Sequence, residues 1–308
     1  MLAASLIASN LNFAQLMRKA PYLIYTGHNT EMQVLWQLNT TATCTLEWGT
    51  DLSYSLGSIQ TSQFGIDHQH TYTITNLTPG TKYYYRVDID PVIYSGSFYS
   101  APDDDATSLK FFAYGDTRTH PENHDAVAKE IVNTFLEDEE FQSLVISMGD
   151  FTTTNTETDW DNEFFDPSYL NIQEMLRSLP YQGARGNHEG TGTKFKKYFP
   201  YPHVDDFYWS FDYGPAHFVI IDQYEDNFPG PAQKIWLENE LASSNKPWKF
   251  VYLHEPGWTA STGFNPVVRD YIQPLCEQYR VAILFAGHRH LYARAIVKDV
   301  IHITTGGG

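Results

Sequence analysis

Leu109-Lys110-Phe111-Phe112-Ala113-Tyr114-Gly115-Asp116 and Ser143-Leu144-Val145-Ile146-Ser147-Met148-Gly149-Asp150 are two largely apolar runs, each closed by Gly-Asp. A continuous apolar run of this length suits a strand buried on both faces. Between them, Pro121 opens a stretch in which Val127, Ile131 and Phe135 recur at helical spacing. The rhythm continues downstream with strand-like runs at 217–222, 249–255 and 281–288, and an amphipathic helix at 233–243 between the first two. Strands alternating with helices imply a layered α/β domain whose helices cover the sheet faces. In such sheets the functional side chains gather just past the carboxyl ends of the strands.

Upstream the pattern changes. From Pro21 to about Ala101 the chain reads as short β-rich runs broken by turns: PYLIYTG, EMQVLWQLN, CTLEWGT, HTYTITNL, KYYYRVDI and SGSFYS. In the fifth run Tyr83, Tyr85, Val87 and Ile89 share one face and Tyr84, Arg86 and Asp88 the other, the period of a half-buried strand. This predicts an all-β sandwich over 20–102. The turn Asn76-Leu77-Thr78-Pro79-Gly80-Thr81 resembles the corresponding turn of fibronectin type III domains. An acidic, Pro-containing stretch ends in a linker at 103–108, and the α/β domain is expected over 109–308. Residues 1–19 read as a signal remnant or an arm. The small-residue, apolar start up to Ala14 predicts export, to a secreted or periplasmic location. The last residues, Thr304-Thr305-Gly306-Gly307-Gly308, read as a strand entering a glycine turn, so a trimmed C-terminus is expected.

The 308 residues exceed the ~100–200 of a single domain, in keeping with two. Apolar residues at 42% exclude a disordered chain, and no apolar run approaches the ~20 residues that span a bilayer. A net charge of −17 repels duplex nucleic acid and discourages a nuclease. Any phosphate must therefore be met by local positive charge. Cys44 and Cys276 fall in different predicted domains and read as packed thiols.

Five segments place metal-binding side chains just past predicted strand ends: Asp116, Asp150, Asn187-His188-Glu189, His254 and the pair His288 and His290. At each Gly-Asp, Gly-Asn and Gly-His step, glycine permits a tight turn and the next residue projects into the crevice. Carboxylates with neutral imidazoles suit Zn, Mn or Fe, whereas a calcium site is built of oxygen alone.

In this order, Asp, Gly-Asp, Gly-Asn-His-Glu, His and Gly-His-Arg-His, the segments resemble the calcineurin-like metallophosphoesterases. With the fibronectin-like module ahead of it, the chain is most similar to the purple acid phosphatase branch. The resemblance implies two metal ions bridged by Asp150. One would take Asp116 and His290, the other Asn187, His254 and His288. It also implies hydrolysis of phosphate monoesters or diesters. Two positions depart from the family pattern. Thr153 stands where purple members carry a tyrosine, which predicts no purple chromophore and a preference for divalent Zn, Mn or Fe(II). Arg118 stands where many relatives have a histidine ligand, and a guanidinium has no lone pair to offer. His124, in the first turn of the predicted helix, is the expected replacement ligand, with His120 its rival.

Arg118 suits phosphate oxygens by its planar fork. His188, next to Glu189, is the candidate proton donor to the leaving oxygen, with His203 a second. Phe151, Trp160, Phe164 and Phe165, in a long segment after Asp150, are expected to roof the crevice. No Ser-His-Asp set and no P-loop stands out. The expected partner is a small phosphorylated substrate, with oligomeric state open. The rival reading is a binding or adhesion protein with a vestigial metallo domain, and it predicts damaged ligands.

Overall fold

The computed structural model describes residues 16–138, 142–201 and 206–308. The N-terminal part is a β-sandwich of seven strands: β1 (Met17–Ile24), β2 (Met32–Leu38), β3 (Cys44–Gly49), β4 (Gly57–Thr61), β5 (Gln69–Ile74), β6 (Lys82–Asp88) and β7 (Ile93–Tyr99). One sheet runs β1-β2-β5 and the other β4-β3-β6-β7. The alternation of β6 is borne out: Tyr83, Tyr85 and Val87 are buried with Trp36, Leu46 and Phe98 between the sheets. Cys44 lies in that core as a free thiol and accepts a hydrogen bond from Trp36 Nε1 at 3.4 Å. Cys276 is also free and buried.

The α/β part starts at β8 (Lys110–Tyr114), followed by α1 (Pro121–Glu137) and β9 (Gln142–Ser147). Next comes a short α2 (Glu157–Asp159), which continues as a π-helix over Trp160–Phe164. Then follow α3 (Leu170–Ser178), β10 (Tyr181–Gly183), α4 (Thr193–Tyr198), β11 (Trp209–Tyr213), β12 (Ala216–Ile220), α5 (Pro231–Ser243) and β13 (Trp248–Tyr252). A π-turn at Val268–Ile272 leads into α6 (Gln273–Gln278), then β14 (Ile283–Ala286), β15 (Tyr292–Val297) and β16 (Val300–Thr305).

These strands form two sheets, β10-β9-β8 and β11-β12-β13-β14-β16-β15. The first is parallel throughout, and β12, β13, β14 and β16 are parallel within the second. The sheets pack face to face. Phe111 of β8 lies 5.1 Å from the rings of both Phe218 and Phe250. Each such ring taken from water contributes roughly 1.5–3 kcal/mol. On the outside of the second sheet, Leu237 and Leu241 of α5 and Leu275 of α6 cover Val219, Val251 and Leu284. On the first, Ala128, Ile131 and Phe135 of α1 join the core. The Gly115 N–H donates to Thr305 O at 3.0 Å and the Gly308 N–H to Gly115 O at 2.9 Å, so the carboxyl ends of both sheets meet.

The two parts share one core. Tyr22, Ile24 and Tyr25 of the β1 edge are buried among Phe165, Tyr198, Phe199, Phe211 and Tyr213. The Tyr22 hydroxyl donates to Tyr198 O at 2.6 Å and the Tyr25 hydroxyl to Asp212 O at 3.0 Å, which satisfies the polar ends of both rings. Lys19, fully buried, pairs with Asp161. The expected aromatic roof is therefore corrected: Phe151, Trp160, Phe164 and Phe165 are at most 1% exposed and form this shared interior instead.

Candidate metal centre and crevice

Each chemistry-bearing residue follows the carboxyl end of a parallel strand: Asp116 after β8, Asp150 after β9, Asn187 after β10, His254 after β13 and His288 after β14. Topology alone brings them to the edge where the two sheets meet. Local backbone strain then aims them. Asp116, Asp150 and His288 have φ of 63°, 56° and 63°, a region that residues with a Cβ enter at a cost of about 1–3 kcal/mol. Two glycines leave the room this requires. A Cβ at Gly186 would collide with the Asp150 carboxylate, and one at Gly287 with that of Asp116.

Four lone-pair donors converge. His254 Nε2 lies 3.1 Å from Asn187 Oδ1 and 3.4 Å from Asp150 Oδ1. His288 Nδ1 lies 3.0 Å from Asn187 Oδ1 and 3.2 Å from His254 Nε2. The other nitrogen of His254, Nδ1, sits 2.6 Å from Met148 O, so it carries the proton and leaves Nε2 with its lone pair facing the cluster. Lone pairs crowded this closely repel one another unless a cation lies among them. With metal–ligand bonds of about 2.0–2.2 Å, tetrahedral donors lie about 3.3–3.6 Å apart and octahedral neighbours about 3.0 Å. The separations span those two values, so the four residues fit one divalent ion.

Without an ion, this clustering perturbs proton affinity. Burial pushes His254 down, but the Asp150 carboxylate outweighs it and holds the imidazole up at about 9. Burial acts upward on Asp150, yet His254 and His188 together keep it below the usual carboxylate range.

Asp116 and His290 stand beside this cluster. Asp116 Oδ1 is buried, makes no hydrogen bond and lies 3.6 Å from His290 Nε2. Its other oxygen accepts the His288 N–H at 2.8 Å. Arg118 Nε donates to Asp150 Oδ2 at 3.3 Å, and its Nη1 to Thr119 Oγ1 at 3.1 Å. Thr153, the position that departs from the purple pattern, meets Thr119 Oγ1 at 2.9 Å. Asp116, Arg118, His120, Asn123 and His290 line a crevice of ≈ 430 Å³ next to the cluster.

His124 is corrected. It lies on the inward face of α1, as its spacing implies, but that face meets the core and not the crevice. The ring is fully buried, its Nε2 is 2.8 Å from the Tyr114 hydroxyl, and it stacks on Phe164 at 5.5 Å. Burial pushes it down to about 3, so it stays neutral there. Its rival His120 does reach the crevice wall, where its Nδ1 lies 3.2 Å from Glu122. His203 lies outside the described residues, as do residues 1–15 of the expected signal remnant or arm, while residues 17–19 of that stretch belong to β1 and so correct its boundary.

His188 finds its partner in a backbone carbonyl, with Nδ1 at 2.6 Å from Thr153 O. Its Nε2 then points along the site, 3.9 Å from Asp150 Oδ2. The Glu189 carboxylate does not serve His188. It is fully buried and accepts the N–H groups of Asp150 at 2.9 Å, Phe151 at 2.8 Å and Gly186 at 2.7 Å, clamping the loops that carry Asp150 and Asn187 together. Burial, then the Asp150 charge, push it above the ordinary glutamate value. Gln223 plays a similar part, accepting the His254 N–H at 2.9 Å. Neither role has a sequence signature.

A larger hollow of ≈ 590 Å³ lies elsewhere, lined by Asp104, Asp212, His217, Glu240 and Lys246. Its charges satisfy one another, Lys246 with Asp104 at 3.0 Å and His217 with Asp212 at 2.7 Å, so it calls for no ligand.

Comparison with known proteins agrees with this fold. Residues 19–101 match the purple acid phosphatase N-terminal domain, and 109–292 the calcineurin-like phosphoesterase domain. A purple acid phosphatase of Glycine max is 27% identical over 73% of this chain and 52% of its own length. A probable inactive purple acid phosphatase of Arabidopsis thaliana is 26% identical over 77% of this chain and 48% of its own length. The chain thus spans about half the length of the curated relatives it matches. The solved structure of a purple acid phosphatase from yellow lupin (Lupinus luteus) seeds shares the fold at a TM-score of 0.76 and 21% identity, over 94% of this chain and 65% of that one. Since the matched segment 109–292 makes up more than half of the sequence and contains every side chain of the crevice and cluster described above, the chain belongs to the calcineurin-like phosphoesterase family.

Proposed function

We propose that the chain hydrolyses small phosphate esters with a divalent ion held by Asp150, Asn187, His254 and His288. The observation that carries this is the convergence of four lone-pair donors, from four strand ends, to separations of 3.0–3.4 Å. When bound, such an ion polarises a phosphoryl oxygen and lowers the pKa of water towards ~7. Arg118, on the crevice wall, offers its fork to the remaining phosphate oxygens. In its doubly protonated form His188, oriented by Nδ1–H to the Thr153 carbonyl, presents Nε2–H to the leaving oxygen. The mixed oxygen and imidazole donors suit Zn, Mn or Fe(II). The second ion that the family resemblance implies would need Asp116, Asp150 Oδ2 and His290, and Arg118 Nε already donates to that Oδ2 at 3.3 Å.

The crevice volume suits a monoester or a small diester, and the acidity of the chain disfavours a nucleic acid duplex. Among the described residues no helix is long and apolar enough to cross a membrane. Export belongs to the same proposal and rests on the composition of residues 1–14. The adhesion reading needs a decayed site, and the intact donor set speaks against it. The test is turnover of an aryl phosphate monoester and an aryl diester, with metal and with chelator. Activity should vanish with chelator and in Asp150→Asn. If Asp150→Asn retains activity, the mechanism is wrong.

A further inference from the structure

We propose that this centre holds one resident divalent ion, and that the Arg118 guanidinium occupies the role and the neighbourhood of a second. The inference rests on the metal-hydrolase reading and concerns how many ions that site takes.

The two halves of the centre are unequal. On the Asp150 Oδ1 side, His254 Nε2 stands at 3.4 Å, and the His254, His288 and Asn187 donors lie 3.0–3.2 Å from one another, which makes a set of four donors. Among the described residues, the polar neighbours of Asp150 Oδ2 are Arg118 Nε at 3.3 Å and His188 Nε2 at 3.9 Å, and the remaining donors of that half are Asp116 Oδ1 and His290 Nε2, 3.6 Å apart. A guanidinium stays protonated and cannot ligate, so the atom on which a second ion must sit is already engaged by a fixed cation. Arg118 is held in place as well. Its Nη1 donates to Thr119 Oγ1, which meets Thr153 Oγ1, and the Thr119 and Thr153 N–H groups both donate to Glu163 Oε2 at 2.9 and 2.7 Å. His124, the side chain best placed in sequence to complete a second ligand set, is turned into the core against Tyr114.

Charge points the same way. One divalent ion and Arg118 against the Asp116 and Asp150 carboxylates leave about one net positive charge, and a second ion would leave about three within a few ångströms. Asp116 then acts as a positioning residue: its Oδ2 accepts the His288 N–H at 2.8 Å and sets the loop that carries a ligand. Arg118 performs the electrostatic service of an ion towards the phosphate, without exchange or loss to chelators.

The experiment is a metal count on the full chain, reconstituted with Zn²⁺, freed of excess and measured by elemental analysis, with titration calorimetry alongside. Wild type should hold one equivalent, Arg118→His should rise to two, and His288→Ala should lose its tight ion. Asp116→Asn should keep one. Two tight equivalents in wild type overturn this inference and leave the metal-hydrolase reading standing, whereas none overturns both. A count that stays at one in Arg118→His overturns the assignment to Arg118. Should that variant not fold, Mn²⁺-loaded wild type decides by electron paramagnetic resonance. The signal of isolated ions is expected, and a spin-coupled pair overturns the proposal.

Discussion

Glu189 offers the sharpest test of how the centre is held together. Its two oxygens accept three backbone N–H groups, from Asp150, Phe151 and Gly186, and the carboxylate is wholly buried. Glu189→Gln preserves shape but keeps one acceptor oxygen. Placed at the Oε2 position it retains the Asp150 and Gly186 bonds, and the Phe151 N–H then faces an amide NH₂. One orphaned buried donor costs about 1–3 kcal/mol, and two charge-assisted bonds become neutral at roughly 0.5–1 kcal/mol each. Relief of a buried charge offsets part of this, so the net loss should be about 2–3 kcal/mol. Urea unfolding of the metal-free protein at pH 8 reads it directly, with unchanged m-value as the check that only stability moved. Because two of the three donors lie on the Asp150 loop and the third precedes Asn187, Zn²⁺ affinity should also fall about 10–100-fold. Glu189→Ala, which orphans all three donors, should be worse than Gln. If Glu189→Gln unfolds within about 0.5 kcal/mol of wild type and binds Zn²⁺ as tightly, the clamp has no energetic role.

His188→Ala should lower kcat by about 10²–10⁴-fold while the metal content stays unchanged, which separates proton handling from ion binding. His70 and His302 are pushed down to about 4 and His124 to about 3 by burial, below the ~6.5 of the unfolded chain. On unfolding these rings take up protons: their contribution to stability is complete above pH 6.5 and is lost as pH drops towards 4, by on the order of 3 kcal/mol for each of His70 and His302, partly opposed by Glu189, which burial and the Asp150 charge hold above the ordinary glutamate value. Urea midpoints across that range should fall steadily, and a flat profile contradicts it. Asp161→Asn strips the buried Lys19 ammonium of its carboxylate and should cost about 2–4 kcal/mol at pH 7, measured as the same midpoint. Burial already draws Lys19 down to about 8, so the penalty should shrink at pH 9–10 as the lysine gives up its proton.

Much of this architecture can be read from the chain because strand periods and strand ends leave marks in residue order. Tyr83, Tyr85 and Val87 announce a buried face, and Gly-Asp or Gly-His after an apolar run announces a turn at a sheet edge. What escapes has a physical reason in each case. β4, Gly57–Thr61, is an exposed edge strand without apolar alternation. The spacing of His124 shows that it points inward, but not that inward means the Tyr114 hydroxyl and not the crevice. His188 is oriented by the Thr153 carbonyl, and Glu189 holds backbone amides, partners that carry no sequence identity. The rings after Asp150 read as a roof because their true cover, the β1 edge, lies more than a hundred residues away.

Tyr22 of β1 and Tyr25 just past its end, both sunk in the α/β interior, make the chain poorly suited to being cut or shuffled. Severing it at 103–108 would expose Phe165, Phe199 and Phe211 on one piece and Tyr22 and Tyr25 on the other, so neither half is a portable module. Heating should dissolve both layers in a single step. Changes made in the sandwich to alter its outer surface are safe on β4, whereas those on β1 travel into the interior behind the loops that carry Asp150 and Asn187.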